Sequence, residues 1–550
     1  MRKKIARSVA MGLVALLIQQ GSGAALGATA APPTATPIKH LVVIFPENIS
    51  FDHYFATYPV AANPTGEPAF TARAGTPTVN GLSSALLTNN PNFLNSVNNS
   101  TSASGGGPGA ALNPFRLDRS QAATADQNHD YTPEQAAADQ GLMDLFPYWV
   151  GVDSSPLLPA VPTDGLTMGY YDGNTVTALW NYAQHFAMSD NSYDTIFGPS
   201  TPGAINLISG QTNGAVPKST SASATAGLLV GNTDGSWSLI GDSDPTSDVC
   251  STSSNPVYMT GQNIGDLLNA KNITWGWFHG GFNLSLTNSN GTTGCARTTT
   301  SAVTGETKVD YVPHHAAFQY YASTQNLTHA RPSSVANIGH TDAANHQYDT
   351  EDFFAALTAN NLPAVSFVKP PGFEEGHPGY SDPLDEQVFL VTVLNALQQS
   401  REWSSTAVVI SWDDSDGWYD HQMSPILNQS ASSADALTGT GQCGTGDAAL
   451  PGVNPALAHA QGRCGFGPRL PFLVISPYSR PNFVDHTLTN QVSAIRFVED
   501  NWLGGTRIGQ GSFDAISNSI DSMLDFEHPQ PRNFPLLLDP STGEPVHHPF

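Results

Sequence analysis

The sequence predicts an α/β fold with a central, mostly parallel sheet, because short apolar runs alternate with helix-like segments. The runs at residues 38–46, 362–369 and 406–411 are rich in β-branched residues and show no polar alternation, which is typical of strands buried on both faces. Carboxylates follow the first and the third run within two residues. Ligands of open α/β sheets bind at the carboxyl ends of the strands, so we expect the chemistry of this chain there.

The first 30 residues have the pattern of a secretory signal peptide. Four basic residues precede an apolar core at residues 9–18, and the segment ends in the cleavage pattern Ala28-Thr29-Ala30. No later run approaches the roughly 20 apolar residues of a membrane span. We therefore expect a secreted or periplasmic protein without a stable membrane anchor.

Residues 31–550 are interpreted as a single domain, although about 100–200 residues per domain is usual. Its stretches rich in Ser, Gly and Asn lie between strand-like or helix-like segments, so we interpret them as surface insertions and not as linkers. These predicted insertions are residues 94–110, 212–227, 283–303 and 428–447.

Four cysteines indicate two disulfide bonds in an exported protein, and four cysteines allow three pairings. We prefer Cys250 with Cys295 and Cys443 with Cys464, because each pair closes a loop of small polar residues. A zinc site is the poorer alternative, since no C-x-x-C spacing occurs.

The formal net charge is −25 at pH 7, and loss of the signal would make it four units more negative. Such an acidic surface repels nucleic acid at long range, so we expect no nucleic-acid partner. A phosphate-bearing substrate would meet the same field, and a cation bound at the site would have to overcome it locally.

Hard oxygen ligands follow two of the predicted strands. Glu47 and Asn48 follow the first run, and Asp413 and Asp414 follow the run at 406–411. Adjacent carboxylates repel each other unless a cation or a shared proton relieves them. The four residues therefore predict one divalent metal ion, of which calcium, magnesium and manganese suit oxygen ligands. The alternative for Glu47 and Asn48 is that they only cap and turn the chain.

Ser200 is the candidate nucleophile and a further metal ligand. It lies between Pro199 and Pro202, just before a predicted helix at residues 204–210, where free N–H groups favour a phosphate. Coordination would lower the pKa of its hydroxyl and allow attack on phosphorus. The alternative is an N-cap serine, which is the commoner role at such a position.

The run that begins at Val42, VVIFPENISFDHYFATYP, resembles the opening signature of a bacterial phosphoesterase family. This family contains non-specific phospholipases C and secreted acid phosphatases. The resemblance is closest to the respiratory-burst-inhibiting acid phosphatase branch and extends in ordered blocks over nearly all of the mature chain. It implies an alkaline-phosphatase-like three-layer sandwich with loop insertions, and it adds zinc to the possible metals.

The same resemblance implies active-site histidines at His129, His315 and His377, and it favours His315 over the adjacent His314. They would bind phosphoryl oxygens or protonate the leaving group. Because histidines are cationic below about pH 6.5, they would favour an acidic optimum. A second metal site built from the three histidines is the minority alternative.

Together the motifs predict a secreted, metal-dependent acid phosphatase with broad specificity for small phosphate monoesters. A phospholipase C that acts on phospholipid diesters is the alternative. The run FGPSTPGA at residues 197–204 departs from the pattern GPTDPNR of the phospholipases, which favours the phosphatase. A non-enzymatic surface protein is a third interpretation, supported only by the insertions. The natural substrate and the oligomeric state are not determined by the sequence.

Overall fold

A central β-sheet organises the computed structural model, which describes residues 33–103, 108–152, 163–444, 460–529 and 535–546. The predicted signal peptide at residues 1–30 lies outside the described residues. Parts of the predicted insertions at 94–110 and 428–447 also lie outside them.

Within the described residues, eight strands form this sheet. In chain order they are β1 (His40–Ile44), β2 (Ala187–Ser189), β3 (Trp275–His279), β4 (Gln347–Tyr348), β5 (Val365–Lys369), β6 (Thr406–Ser411), β7 (Phe472–Ile475) and β8 (Phe483–Asp485). Across the sheet the order is β4-β3-β5-β1-β6-β7-β2-β8. Strand β7 is antiparallel to β6 and β2, and the other neighbouring strands are parallel. The predicted mostly parallel sheet is confirmed.

The sheet buries both of its faces, and this produces three layers. Leu41 and Val43 of β1 belong to one hydrophobic core, and Val42 and Ile44 belong to the other. Successive side chains of a strand point to opposite faces, so a strand covered on both sides is apolar throughout. The predicted α/β sandwich is therefore confirmed, and its physical reason is the unbroken apolar character of the central strands.

Helices cover the two faces of the sheet. In chain order the helices of the described residues are α1 (Phe51–Phe55), α2 (Ser84–Thr88), α3 (Pro91–Leu94), α4 (Tyr131–Ala138), α5 (Phe146–Trp149), α6 (Thr177–His185), α7 (Ser200–Ser209), α8 (Ala222–Thr225), α9 (Ile264–Ala270), α10 (Thr350–Thr358), α11 (Pro383–Gln398) and α12 (Ser493–Trp502). Helices α7, α9 and α12 contribute to the core of Leu41 and Val43, whereas α1, α6, α10 and α11 contribute to the other core. None of the helices in the described ranges has the length and apolarity needed to cross a membrane.

Short two-stranded ribbons and two disulfide bonds complete the fold. The disulfides join Cys250 to Cys295 and Cys443 to Cys464, which confirms both predicted pairings. The ribbons pair Phe115–Arg116 with Gly169–Tyr170, Ser192–Tyr193 with Thr489–Asn490, Ala215–Pro217 with Val257–Met259, Leu229–Gly231 with Trp237–Leu239, and Thr298–Thr300 with Thr307–Val309.

Apolar residues recur at helical spacing from Val176 to Met188, which by itself predicts one helix, but the structure divides this segment into a helix and a strand. Helix α6 ends at His185, and the chain then enters strand β2. Met188 of β2 pairs with Leu473 of β7 and Val484 of β8. A strand of three residues is too short to show a periodicity of its own. The helical spacing of the residues before it therefore makes the predicted helix too long.

Candidate active site

The carboxyl ends of β1 and β6 bring four predicted metal ligands together. The two strands are adjacent and parallel, with Ile44 opposite Ile410, and the chain leaves both strands at the same edge of the sheet. The backbone N–H of Asn48 donates to Asp413 Oδ1 at 3.0 Å. The side chains of Glu47, Asn48, Asp413 and Asp414 are all fully buried.

Ser200 reaches the same cluster from helix α7. It is the first residue of the helix, which therefore begins four residues earlier than predicted, and Pro199 takes the N-cap position. Its hydroxyl is within hydrogen-bond distance of two carboxylate oxygens, Glu47 Oε2 at 2.9 Å and Asp414 Oδ2 at 3.2 Å. The side chain thus points into the carboxylate cluster and does not cap the helix.

The first turn of α7 packs directly on the backbone that follows β6. A Cβ atom added to Gly203 would lie 2.1 Å from the carbonyl oxygen of Asp413. Gln491 Nε2 donates to the same carbonyl at 2.5 Å. Because no side chain fits between the helix and residue 413, glycine at this position allows Ser200 to approach the carboxylates.

The unpaired oxygens of this cluster fit a hard divalent cation. Asn48 Oδ1 and Asp413 Oδ2 are buried and accept no hydrogen bond, and carboxylate oxygens of Glu47, Asp413 and Asp414 lie within 4.8 Å of one another. Asn48 Nδ2 donates to Asp416 Oδ1 at 3.0 Å, so its amide oxygen is the atom left for a ligand. Buried oxygens without partners are costly, and carboxylate and amide oxygens are the donors that hard cations take.

Burial and the neighbouring charge of Asp413 raise the pKa of Asp414 well above its ordinary value. The cause is the crowding of two adjacent carboxylates at the buried end of one strand. A cation among these oxygens would favour the ionised form and would remove this penalty.

Lys369 is a charge in the site that the sequence interpretation did not assign. It ends strand β5 beside β1, it is fully buried, and its Nζ contacts Glu47 Oε1 and lies 3.8 Å from Asp413 Oδ2. Burial lowers the pKa of Lys369, against the charges of Asp413, Glu375 and Asp414. The available signal in the sequence was a lysine that ends an otherwise apolar strand.

His315 lies beside Glu47, whereas His314 lies on the rim of the site. His315 Nδ1 is 3.2 Å from both Glu47 Oε1 and Glu375 Oε2, and its side chain is 1% exposed. Burial lowers the pKa of His315. The side chain of His314 is 26% exposed, and its Nδ1 is 3.7 Å from Asp244 Oδ1. Of the two adjacent histidines, the structure therefore brings His315 to the predicted metal ligands.

His129 lies beside Asn48, and His377 lies beside His129. The backbone orients both rings. His129 Nδ1 is 2.8 Å from the carbonyl oxygen of Gln127, and His377 Nδ1 is 2.6 Å from that of Pro378. Each Nδ1–H donates to its carbonyl, which leaves Nε2 of His377 for a substrate, whereas Nε2 of His129 lies 3.4 Å from Asn48 Nδ2. The ring centroids are 6.0 Å apart.

The surroundings of the two rings shift their pKa values in opposite directions. Burial disfavours the cationic form of His129, but the charges of Asp414, Asp126 and Asp416 outweigh it and raise the pKa of His129 well above its ordinary value. Burial lowers the pKa of His377. One histidine is thus suited to neutralise an anion, and the other to accept or pass on a proton.

Several carboxylates that the sequence interpretation did not assign support the site. Asp416 accepts a hydrogen bond from Asn48 Nδ2, and Glu375 lies 3.2 Å from His315 Nδ1. Asp242 accepts from the backbone N–H and the hydroxyl of Thr201, next to Ser200, at 2.9 and 2.8 Å. No signal in the sequence indicated these roles, because sequence spacing does not show which neighbours a side chain contacts.

The sequence comparisons with known proteins all indicate the same protein family. The model of the Phosphoesterase family matches residues 38–503. Non-hemolytic phospholipase C of Pseudomonas aeruginosa is 31% identical over 193 residues, which are 34% of this chain and 27% of that protein. Phospholipase C A of Mycobacterium tuberculosis is 25% identical over 86% of this chain and 75% of that protein. The chain thus spans about a quarter of the Pseudomonas relative and three quarters of the mycobacterial one.

Among solved structures, a Vibrio parahaemolyticus protein in the alkaline phosphatase superfamily covers 62% of this chain and 63% of its own. The sequence identity is 12% and the TM-score is 0.27. A TM-score this low supports no conclusion about the chain.

Proposed function

The chain belongs to the phosphoesterase family, and from this membership we propose that it is a phosphoric ester hydrolase with Ser200 as its nucleophile. The observation that carries the proposal is the position of the serine hydroxyl. It is buried within 2.9 Å of Glu47 Oε2 and 3.2 Å of Asp414 Oδ2. Asn48 Oδ1 and Asp413 Oδ2, which accept no hydrogen bond, lie in the same cluster and support a cation beside the serine.

One divalent metal ion is part of the proposal. Glu47, Asn48, Ser200, Asp413 and Asp414 would hold it. When bound, the ion lowers the pKa of the serine hydroxyl and offsets the charge of a phosphoryl group. The oxygen donors suit calcium, magnesium or manganese, and zinc is the remaining candidate.

The protein side chains divide the remaining tasks. Ser200 Oγ attacks phosphorus, the bond to the leaving alcohol breaks, and water then hydrolyses the phosphoseryl group. His129 and His377 would bind phosphoryl oxygens or protonate the leaving alkoxide, with His377 Nε2 left for this task because its Nδ1–H donates to the backbone. His315 contacts Glu47 and Glu375, and we assign it to orienting Glu47.

We propose small phosphate monoesters as the substrates. Several exposed or partly exposed side chains near the site are charged or can become charged, namely Asp126, Asp242, Lys308 and His314. A charged rim suits a water-soluble ester better than the acyl chains of a lipid. The two disulfides fit an exported protein, so we also propose that the enzyme acts in the periplasm or outside the cell.

Phospholipase C activity is the second candidate, because curated relatives with that name match the chain. Both reactions would use the same serine and metal ligands. The rates of product release from p-nitrophenyl phosphate and from phosphatidylcholine micelles distinguish them. Faster release of phosphocholine from micelles would favour the phospholipase, and the proposed phosphatase requires the opposite order.

Replacing Ser200 with Ala tests the nucleophile. We expect kcat for p-nitrophenyl phosphate to fall by about a thousand-fold or more, since neighbouring groups cannot replace the attacking oxygen. The melting temperature should change little, because only one hydroxyl is lost. Ser209→Ala, at the other end of α7, is the matched control and should retain activity. Unaltered turnover in Ser200→Ala would refute the assignment.

The acidic optimum predicted from the histidines stays a prediction. The measurement is the pH profile of kcat for p-nitrophenyl phosphate with the metal-loaded enzyme. A maximum well above neutral pH would speak against it.

A further inference from the structure

Lys308 differs from the other cationic side chains around the active site, because no carboxylate pairs with it. Its Nζ lies 3.5 Å from the centroid of the Tyr380 ring, and among the described residues it forms neither an ion pair nor a side-chain hydrogen bond. His129, His314 and Lys369 each have a carboxylate oxygen within 4.0 Å.

The hairpin that carries Lys308 is anchored at its base. Its strands are Thr298–Thr300 and Thr307–Val309, and the disulfide between Cys250 and Cys295 lies just before it. Arg297 Nε lies 3.1 Å from Asp310 Oδ2, so an ion pair joins the two ends of the hairpin. The hairpin is therefore held in place by covalent and ionic contacts.

The segment beneath the hairpin leaves room for the lysine stem. A Cβ atom on Gly372 would lie 2.9 Å from Lys308 Cγ, so the stem crosses Gly372 at a point where no other residue would fit without a shift. The N–H of Gly372 also donates to the carbonyl oxygen of Asp310 at 3.0 Å. The position of Lys308 is thus fixed by the packing of two segments.

Tyr380 connects Lys308 to the histidines of the proposed site. The ring of His377 stacks on Tyr380 with centroids 4.3 Å apart. The hydroxyl of Tyr380 donates to Glu375 Oε1 at 2.5 Å, and Glu375 Oε2 lies 3.2 Å from His315. Lys308 Nζ lies 3.5 Å from the Tyr380 centroid, and the His377 centroid lies 4.3 Å from the same point. The distance between the ammonium and the centre of the His377 ring therefore cannot exceed the sum of these two distances.

We propose that Lys308 determines substrate specificity by binding a second anionic group on the alcohol part of the phosphate ester. This inference rests on the proposed function, because it concerns the substrate of the same site. Tyr380 stabilises the ammonium through its ring face, and the N–H donors remain available to a carboxylate or phosphate oxygen. A local cation would also offset the repulsion between a doubly charged substrate and an acidic protein.

A matched pair of substrates tests the proposal with the full-length, metal-loaded enzyme. 3-Phosphoglycerate carries a carboxylate where glycerol 3-phosphate carries a hydroxymethyl group. We expect kcat/KM to be higher for 3-phosphoglycerate. Lys308→Met should lower the ratio of the two kcat/KM values by about two- to fivefold, mainly through KM, which is the size of one partly exposed charge pair. Lys308→Arg keeps the charge and should keep most of the preference.

The controls separate specificity from packing. Lys218→Met makes the same change at an exposed position and should leave the ratio as in the wild type. Equal losses for both substrates in Lys308→Met would show that the lysine only supports Tyr380, and this would overturn the proposal. A wild-type enzyme without a preference for 3-phosphoglycerate would overturn it without any variant. If p-nitrophenyl phosphate is hydrolysed in that case, the proposed function still stands.

Discussion

At the level of single residues, Gly203 decides how closely Ser200 approaches the carboxylates of Glu47 and Asp414. Helix α7 rests on the carbonyl of Asp413 at this glycine, where a Cβ atom would approach to 2.1 Å. The contacts of Ser200 with Glu47 and Asp414 depend on the same close packing. A side chain at position 203 would therefore move the serine and the backbone of Asp413 apart.

Gly203→Ala is the corresponding prediction. Alanine favours a helix by about 1 kcal/mol over glycine, but overpacking costs typically 1–3 kcal/mol, so we expect net destabilisation and a loss of at least about tenfold in kcat. Urea unfolding and turnover of p-nitrophenyl phosphate measure the two effects. Ser209→Ala in the same helix is the control. An alanine variant as stable and as active as the wild type would show that the helix can shift freely.

At the level of elements, Glu386 joins helix α11 to helix α1 and to the end of β6. Tyr54 OH of α1 donates to Glu386 Oε2 at 2.7 Å, and Trp412 Nε1 donates to Glu386 Oε1 at 2.9 Å. The side chain is 1% exposed, and burial raises the pKa of Glu386 from 4.5 to about 8. The native protein thus holds a proton here that the unfolded chain has released at neutral pH.

This proton makes stability depend on pH. Because the folded pKa is raised, the contribution of Glu386 is fully present below pH 4.5 and is lost as the pH rises toward 8. Inside this window the contribution of Glu386 to the free energy of unfolding falls by about 1.4 kcal/mol per pH unit. Glu386→Gln removes the titration, so its free energy of unfolding should fall less steeply between pH 5 and pH 8.

Denaturant unfolding at several pH values measures this slope. The exposed Glu306→Gln provides the control and should follow the wild-type slope. Parallel curves for the wild type and Glu386→Gln would mean that Glu386 is ionised in the folded protein.

At the level of the whole molecule, the proposed metal site joins segments that are far apart in the chain. Its five proposed ligands come from α7 and from the segments that follow β1 and β6, near residues 47, 200 and 413. A metal that binds only when these segments are assembled stabilises the entire fold by mass action. The proposal therefore predicts that metal binding is coupled to global stability.

Chelation should reveal this coupling. At a metal concentration of about 100 Kd the ion contributes about 2.7 kcal/mol, so EDTA should lower the melting temperature and added metal should restore it. Asp413→Asn should lose most of this increment, whereas the surface variant Asp234→Asn should keep it. Equal melting temperatures with and without EDTA would contradict the metal site, provided that elemental analysis confirms removal.

Long strands that are buried on both faces could be predicted from the sequence, whereas strands of two or three residues could not. Strands β1, β5 and β6 could be predicted because both of their faces are buried, which leaves long apolar runs in the sequence. Strands β2 and β4 have three and two residues and depend on partners from distant segments. Their stability comes from ladder pairing, and such pairing leaves no local pattern.

The sequence by itself determined which chemical groups follow the buried strands, the candidate nucleophile and the two disulfide pairings that we preferred. Only the tertiary structure decided that β1 lies between β5 and β6, which brings Lys369 to Glu47. It also placed His315 inside the site with His314 on the rim, and it left Lys308 over Tyr380 without a carboxylate. The physical reason is that residue type and spacing reflect local propensity and burial, whereas the neighbours of a side chain depend on the order of the strands in space.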